Sequence, residues 1–229
     1  MKELYVLCEG PTERGFCDQV LRSHLFPQHD GRIPTILIAN SKHHGKFSRG
    51  GVPPRYETMR RDIVHTLKSH KSSVTCFTTM LDLYGLPRDF PGKDRHVRNP
   101  DNPHDFVDAL EVAFGDDIAD SRFIPYLQLH EYETMLFVEP EAFRVAFDDC
   151  DDAIEQLKTI AGLFPSIEHI NDGRTTAPSK RIIEVLPAYD GRKPSAGPDI
   201  AEFTGVAAIR VKCAHFDAWL TRIEGLLWQ

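Results

Sequence analysis

The sequence predicts an α/β protein with a mainly parallel sheet, helices on both faces of that sheet and a mostly helical C-terminal part. Over residues 1–139, short apolar runs that end in turn residues alternate with stretches of helical periodicity. After Pro140 the chain changes to helices and loops. We therefore divide it into an α/β core, residues 1–139, and a helical C-terminal extension packed on that core, residues 140–229. The pattern alone does not distinguish this extension from a separate domain.

The predicted elements follow one another in a regular order. Four buried strands are predicted at residues 4–8, 34–39, 74–81 and 123–129. Helices are predicted to begin at Thr12, which can cap the first of them, and near Tyr56 and Phe106. Residues 84–104 are rich in Pro, Gly and charge, and we expect a long ordered loop or lid. In the C-terminal part, helices are predicted at residues 140–148, 153–163, 179–186 and 216–227, with a loop at 188–198.

Composition limits the functional classes. The chain has 229 residues and a net charge of −7, which argues against a general nucleic-acid coat protein. No apolar run approaches the ~18 residues of a membrane span, and the start MKELYVLCEGPTE lacks the pattern of a signal peptide. Five cysteines without a CxxC pair favour reduced thiols over a disulfide framework. We therefore expect a cytoplasmic protein with no membrane segment.

Acidic residues follow three of the predicted strands. Glu9 and Glu13 come after the first strand, Asp82 after the third, and Glu131 and Glu133 after the fourth. The carboxyl ends of parallel strands line the crevice where ligands bind, so we expect these side chains to converge. Grouped carboxylates repel one another by about 4 kcal/mol per pair at an effective dielectric constant of 20, and a divalent cation reverses that sign. Carboxylate-rich sites suit Mg²⁺ or Mn²⁺.

Each of these residues also has an ordinary structural explanation. Glu13 in the first turn of a helix is favoured by the helix dipole alone. Asp82 could belong to a turn, and Glu131 and Glu133 could lie on the exposed face of a strand. His130 could orient a ligand or a water, although a single histidine at a strand end is more often structural. The metal hypothesis therefore depends on the joint occurrence of acids at three strand ends.

Basic residues are concentrated in short segments that could bind phosphate. Lys46, Arg49 and Arg55 lie in or beside the polar loop before the second predicted helix. Lys180 and Arg181 begin a later helix, whose N-terminus adds donors for an anion. We expect both segments to border the acidic crevice, and the alternative in each case is a solvated basic surface. A further basic stretch before the last predicted helix contains Arg210, Lys212 and His215.

The stretch Glu9-Gly10-Pro11-Thr12-Glu13 resembles the Toprim signature, in which a glutamate follows the first strand and a glycine lets the backbone turn. The series EGPTE, TTMLDLYGLP, QLHEYETMLF, PSKRI and KCAHFDAWL is similar to an uncharacterised bacterial family that is regarded as Toprim-like. That family is often encoded beside ABC- or SMC-type ATPases in defence loci. The resemblance spans nearly the whole chain and implies a Toprim-like fold with Mg²⁺-dependent phosphodiester chemistry.

The resemblance carries over to particular residues. By position, Glu9 corresponds to the first Toprim glutamate and Asp82 to the first aspartate of the DxD pair. The second aspartate of that pair is replaced here by Tyr84. The missing ligand must then come from one of the other three acids, and without it metal affinity would be weak.

Two functions of different classes are compatible with these patterns. The first is a metal-dependent nuclease or nuclease subunit in antiphage defence. In it, Glu9 and Asp82 hold Mg²⁺ or Mn²⁺, the other three acids complete the site, and Lys180 neutralises the phosphate. Its partners would be nucleic acid and an ABC- or SMC-type ATPase. The second is a non-catalytic docking or sensor subunit of an ATPase complex, favoured by Tyr84 and by the acidic net charge. A small-molecule phosphotransferase is a weaker third hypothesis because the chain has no Gly-rich phosphate loop.

Overall fold

The computed structural model describes residues 2–28, 30–43, 46–49, 55–70, 75–99, 101–170, 173 and 175–228. Within these ranges the strands are β1 (Lys2–Cys8), β2 (Gly31–Arg32), β3 (Thr35–Leu37), β4 (Ala39–His43), β5 (Lys46–Arg49), β6 (Thr75–Asp82), β7 (Phe123–Ile124) and β8 (Leu127–Gln128). Six of them form a mainly parallel sheet, and β4 and β5 form a separate antiparallel hairpin. The predicted α/β class is confirmed.

The centre of the sheet is the pair β1 and β6. On one side β1 pairs in parallel with β2 and β3, and on the other side β6 pairs in parallel with β7 and β8. The single strand predicted at residues 123–129 is divided into two, because Pro125 has no N–H to give to a ladder. There the hydroxyl of Thr79 donates to the carbonyl of Tyr126 over 2.9 Å and accepts from its N–H over 3.1 Å. The carboxyl ends of β1, β3, β6 and β8 therefore lie at one edge.

Helices surround this sheet. Their bounds are α1 (Pro11–Phe16), a π-helical segment (Cys17–Leu21), α2 (Arg22–Leu25), α3 (Tyr56–Ser69), α4 (Pro103–Ile118), α5 (Asp151–Gly162), α6 (Pro178–Val185), α7 (Lys193–Thr204), α8 (Val206–Lys212) and α9 (Ala214–Leu227). Short 3-10 helices span Leu83–Gly85, Tyr132–Phe137, Pro140–Val145, Ile167–His169 and Pro187–Arg192. The prediction of a loop at residues 188–198 is wrong, because α7 begins within this range, with Pro194 in its first turn. A helix start tolerates proline because the first N–H groups have no partner within the helix.

Alternation along β1 creates two apolar cores, one on each face of the sheet. Leu4 and Val6 point into a core shared with α1, α5 and the C-terminal helices, whereas Tyr5 and Leu7 point into a core shared with α3 and α4. Helices therefore cover both faces, and the C-terminal part packs against one of them.

Two close contacts fix where the chain leaves β1. A Cβ atom at Gly15 in α1 would lie 2.6 Å from Cγ of Pro198 in α7, so only glycine allows the two helices to approach this closely. Gly197, beside Pro198, lies against the ring of Tyr132 in the same way. The turn after β1 is thus packed directly on a helix from the C-terminal part.

All five cysteines are buried and free. In the described part of the chain, no helix has both the length and the apolar character that a bilayer crossing requires.

Candidate functional site

Backbone hydrogen bonds join the acids at the ends of neighbouring strands. The N–H of Asp82, the last residue of β6, donates to Oε2 of Glu9 over 3.1 Å. Oδ1 of Asp82 in turn accepts from the N–H of Tyr132 over 2.9 Å. The parallel register of β1 and β6 brings Glu9 and Asp82 to the same edge, and the segment after β8 completes the chain of contacts.

Glu13 and Glu131 are also held by backbone donors. Oε2 of Glu13 accepts from the N–H of Gly10 over 2.8 Å, and Oε2 of Glu131 accepts from the N–H of Ser179 over 2.9 Å. Gly10 has φ −145° and ψ −177°, an extended conformation that any residue adopts. Its role is close approach, because a Cβ atom at this position would lie 3.0 Å from Oε2 of Glu13. Gly10 therefore makes room for the carboxylate and is not needed for a left-handed turn.

Glu133, like Glu13, is buried. It lies on the 3-10 helix Tyr132–Phe137 and points inward, so the exposed strand face considered as its alternative does not apply. The hydroxyl of Tyr189 donates to its Oε1 over 3.3 Å, and Nζ of Lys193 lies 3.5 Å from the same atom. Lys193 is the cation that the described residues place in contact with this group of acids.

Four of the acids share one arrangement. Each of Glu9, Glu13, Asp82 and Glu131 accepts a backbone hydrogen bond on one carboxylate oxygen. The carboxylate of Glu13 also accepts from its own backbone N–H. Among the described residues, no carboxylate oxygen of these acids is both fully buried and without a hydrogen-bond partner. Backbone donors therefore orient each of the four carboxylates.

Burial and the neighbouring acids raise the pKa values of these carboxyl groups. Burial raises the pKa of Glu9 to about 7, against the hydrogen bond from the N–H of Asp82, and the nearby Glu131 and Glu133 raise it further. Burial raises the pKa of Glu13 to about 8, with an additional contribution from Glu9. The pKa of Asp82 lies well above its usual range because of burial and then of the surrounding glutamates. Burial also raises the pKa of Glu133, and Lys193 opposes that shift. Without a bound cation, the site therefore favours protonated carboxyl groups.

The distances between the acids set a limit on how they could bind an ion. No three of the five carboxylates have oxygens within 4.8 Å of one another. Two ions about 4 Å apart would use ligands spread over a wider area. The donor set consists of oxygens alone, which fits Mg²⁺ or Mn²⁺ better than a softer metal.

The residues around the acids have distinct positions. Tyr84, at the position where the Toprim resemblance led us to expect a second aspartate, is half exposed. His130 is buried with φ +65°, and its Nδ1 lies 3.0 Å from Nη2 of Arg98. Its Nε2 lies 3.2 Å from the carbonyl of Glu168, so Nε2 carries the hydrogen and Nδ1 accepts. His130 thus connects the segment after β8 to Arg98 and to the 3-10 helix Ile167–His169.

The candidate phosphate-binding residues differ in the exposure and the contacts of their side chains. Lys180 is exposed in the first turn of α6, next to Ser179, which holds Glu131. Nε of Arg181 donates to the carbonyl of Thr176 over 2.8 Å, and its guanidinium lies over the ring of Phe164. Arg55 is exposed just before α3. The side chains of Lys46 and Arg49 lie outside the described part, although the backbone of β5, which contains both residues, is described.

A second group of potential ligands was not identified from the sequence. Asp108, Glu111 and His215 could hold a metal ion, since each offers a ligand atom and these atoms lie within 4.8 Å of one another. It is the one such group in the described ranges. The spacing of Asp108 and Glu111 on one helix face was a usable signal, but nothing in the pattern connected that helix with His215.

A cavity of about 1060 Å³ lies elsewhere, between α4, the start of α3 and residues 88–96. Tyr56, Asp89 and Asp117 line it, and the hydroxyl of Tyr56 donates to Asp117 over 2.7 Å. None of the five strand-end acids belongs to its lining. The acids therefore form a site at the sheet edge and not in this cavity.

Comparison with known proteins gives one match. Residues 8–224 match a family model described as "Domain of unknown function (DUF4276)". No curated protein and no solved structure matches the chain significantly.

Proposed function

The chain belongs to the DUF4276 family, whose description assigns no activity, and we propose from its site that it is a metal-dependent phosphodiesterase acting on nucleic acid. The supporting observation is the hydrogen-bonded series from Glu9 to Asp82 to the segment of Glu131 and Glu133 at one edge of a parallel sheet. Turns and helix caps do not require acids from three separate strand ends to meet. The Toprim resemblance of the EGPTE segment points to the same chemistry.

The proposed cofactor is Mg²⁺ or Mn²⁺, and the residues fit it. Glu9 and Asp82 would hold one ion. Because no three of the five carboxylates have oxygens within 4.8 Å of one another, Glu13, Glu131 and Glu133 would hold a second ion or would have to move closer to complete the first site. The raised pKa values of Glu9, Glu13 and Asp82 reflect burial first and the neighbouring acids second, and a bound cation would favour the charged form of all three. When bound, such an ion lowers the pKa of a water and neutralises charge on the phosphate.

The protein's own groups supply orientation and proton transfer. The N–H groups of Asp82 and Tyr132 hold the carboxylates of Glu9 and Asp82, so these two groups have a defined orientation before substrate arrives. Where Glu13 is not itself a ligand, its pKa, which burial raises to about 8, lets it hold or release a proton at neutral pH. Lys180, exposed one residue after the backbone donor to Glu131, would neutralise the phosphate.

Nucleic acid is the proposed substrate because basic segments adjoin the same edge. The hairpin β4–β5, which contains Lys46 and Arg49, follows two residues after the end of β3. β3 ends beside Cys8, next to Glu9. Arg55 is exposed where the chain returns into α3. A basic hairpin beside an acidic metal site favours a polyanionic strand over a small phosphate ester.

The remaining parts of the proposal concern context. We place the protein in the cytoplasm, in antiphage defence, with an ABC- or SMC-type ATPase as partner. A non-catalytic docking or sensor subunit of such an ATPase is the second candidate. It is favoured by the half-exposed Tyr84 in place of an aspartate and by the contact of Lys193 with Glu133.

The test combines metal binding with cleavage. Full-length protein stripped of metal is mixed with Mg²⁺ or Mn²⁺, and its thermal unfolding is followed together with cleavage of single- and double-stranded DNA and RNA. The phosphodiesterase requires a metal-induced rise in melting temperature and metal-dependent cleavage, alone or with an ATPase that copurifies. Cleavage of no substrate and no stabilisation by either ion would leave the docking subunit as the function.

A further inference from the structure

One face of α4 carries a row of ionisable residues away from the strand-end acids. His104, Asp108 and Glu111 are separated by four and three residues, so they follow one another along the same side of the helix. Opposite this face lie His215, in the first turn of α9, and Glu168, in the 3-10 helix Ile167–His169. The group therefore joins a helix of the α/β core to two elements of the C-terminal part.

The imidazole of His215 has a fixed orientation. Its Nε2 lies 3.0 Å from Oε1 of Glu111 and 3.1 Å from the carbonyl of Leu127. Because a carbonyl only accepts, Nε2 carries a hydrogen. The ring stacks on Tyr126 with centroids 5.3 Å apart and planes 17° apart. Nδ1 consequently faces Asp108, whose Oδ1 is 3.5 Å away.

Glu168 holds the backbone that carries this histidine. It is buried, and its Oε1 accepts from the N–H of His215 over 3.0 Å and from that of Phe216 over 3.4 Å. Its Oε2 lies 2.8 Å from Nε2 of His104. His104 and Glu168 therefore position the start of α9 and leave Asp108, Glu111 and His215 as the potential ligands.

We propose that Asp108, Glu111 and His215 bind a divalent first-row transition metal of the zinc class, at a site distinct from the strand-end acids. A metal-bound histidine ordinarily coordinates through one ring nitrogen and donates from the other to a carbonyl or carboxylate, and the carbonyl of Leu127, 3.1 Å from Nε2, is such an acceptor. With the Nε2 hydrogen held by Leu127, Glu111, whose Oε1 accepts from the N–H of Leu127, can turn its Oε2 to the metal. Asp108 is 63% exposed, so the remaining coordination positions can be filled by water.

The chemistry of this set differs from that at the sheet edge. An imidazole nitrogen favours zinc-class ions over Mg²⁺, whereas the strand-end acids offer oxygens alone. The competing occupant is a proton: burial disfavours the imidazolium, but the hydrogen bonds of Asp108 and Glu111 outweigh burial and raise the pKa of His215 to about 10. In the metal-free protein, the carboxylates of Asp108 and Glu111 and the protonated His215 have a net charge of −1. With a divalent ion and a neutral His215, the net charge of the site is zero. Metal binding must therefore displace that proton.

The experiment measures Zn²⁺ binding to full-length, metal-stripped protein by calorimetry and by metal analysis after dialysis. We expect one tightly bound Zn²⁺ that excess Mg²⁺ does not displace, and a higher melting temperature with Zn²⁺. His215→Gln should abolish binding at this site. Asp108→Asn, which changes an exposed side chain and leaves the fold unaffected, should weaken it at least tenfold. Asp116→Asn is the matched control, because this exposed carboxylate lies on the same helix about 12 Å from Asp108.

The variants also separate this site from the proposed phosphodiesterase site. Glu9→Gln should keep Zn²⁺ binding unchanged, whether or not the protein cleaves nucleic acid. Bound Co²⁺ should show visible absorption that His215→Gln removes and Glu9→Gln retains. Absence of Zn²⁺ binding in the wild type, or equal affinity in Asp108→Asn and Asp116→Asn, would overturn the proposal and leave His215 as the cation of a buried ion pair.

Discussion

The N–H of Asp82 donates a hydrogen bond of 3.1 Å to Oε2 of Glu9, which joins the ends of two adjacent parallel strands. The register pairs Cys8 with Met80, so both acids leave the sheet at nearly the same level. The same strand pairing that stabilises the core therefore sets the spacing of the two carboxylates. A local change in either strand would alter the site without removing either acid.

Removing one charge from this pair should separate metal chemistry from folding. Glu9→Gln and Asp82→Asn should each reduce Mg²⁺- or Mn²⁺-dependent cleavage by ~100-fold or more, because a bound ion lowers the activation barrier by several kcal/mol. Without metal, both variants should be as stable as the wild type or more stable, because repulsion is relieved. Cleavage rates and chelator-treated melting curves measure both effects. Glu202→Gln, at an exposed position on α7, controls for the change in net charge.

The stability of the metal-free protein should depend on pH through Glu9 and Glu13. Their folded-state pKa values are about 7 and about 8, above the ordinary value of 4.5. Between 4.5 and 8 the folded state binds more protons than the unfolded state, so this contribution is greatest at low pH and is lost as pH rises. Urea unfolding in chelator at several pH values gives the slope. Glu13→Gln should flatten it relative to the wild type, and an identical slope would contradict the assignment.

We expect Gly10→Ala to preserve the fold but to disturb the acidic site. Its extended backbone suits any residue, so Gly10→Ala should change the free energy of unfolding by less than about 1 kcal/mol. The new methyl group would press on Oε2 of Glu13, and stabilisation by Mn²⁺ should weaken by roughly tenfold in apparent affinity. Thermal unfolding with and without Mn²⁺ tests both statements. Gly191→Ala is a control, because a Cβ atom there meets nothing within 4 Å.

Two lysines near the acids should behave differently. Lys193→Gln removes the cation beside the buried Glu133 and should destabilise the metal-free protein by about 1–3 kcal/mol. Lys180→Gln alters an exposed side chain and should leave stability within about 0.5 kcal/mol, while lowering cleavage if it contacts phosphate. Chemical denaturation and cleavage assays on both variants distinguish a structural cation from a substrate-binding one. Equal stability of the two variants would show that Lys193 contributes nothing to Glu133.

The basic segment before α3 should contribute to nucleic-acid affinity through charge. The combined reversal Lys46→Glu, Arg49→Glu and Arg55→Glu should weaken binding and reduce the slope of log K against log salt by about 0.7–0.9 for each lost phosphate contact. Fluorescence anisotropy across a salt series measures both quantities. Reversal at the exposed Lys68 and Arg222 is the control. An unchanged slope in the triple variant would assign these residues to a solvated surface.

The elements that the sequence specified best are those with strong local periodicity. The predicted strand at residues 74–81 is observed as Thr75–Asp82, and the predicted helix at 153–163 as Asp151–Gly162. Segments rich in proline and glycine were predicted less well. Residues 188–198 look like a loop, yet Pro187–Arg192 and Lys193–Thr204 are helical, since proline is compatible with a helix start and glycine is favoured where helices approach closely.

The candidate site was likewise predicted only in part from the sequence. Acids that follow strands could be expected at one edge, because parallel strands impose that position on residues far apart in sequence. The hydrogen-bond and ion-pair partners of those acids could not be predicted. Ser179, Tyr189 and Lys193 belong to C-terminal elements, and no local sequence pattern indicates how those elements pack on the core. His215 was missed for the same reason, as its contacts with Glu111 and Asp108 bridge distant parts of the chain.

The close fit of Gly15 against Pro198 also bears on how such a chain can vary during evolution. Any side chain at position 15 would push α7 outward, and α7 begins with the lysine that contacts Glu133. A substitution in one half is therefore acceptable only when the other half matches it. We expect exchange of whole N- or C-terminal halves between related proteins to yield poorly folded hybrids. Insertions should accumulate instead at sites such as Gly162 and Gly191, where a side chain meets nothing.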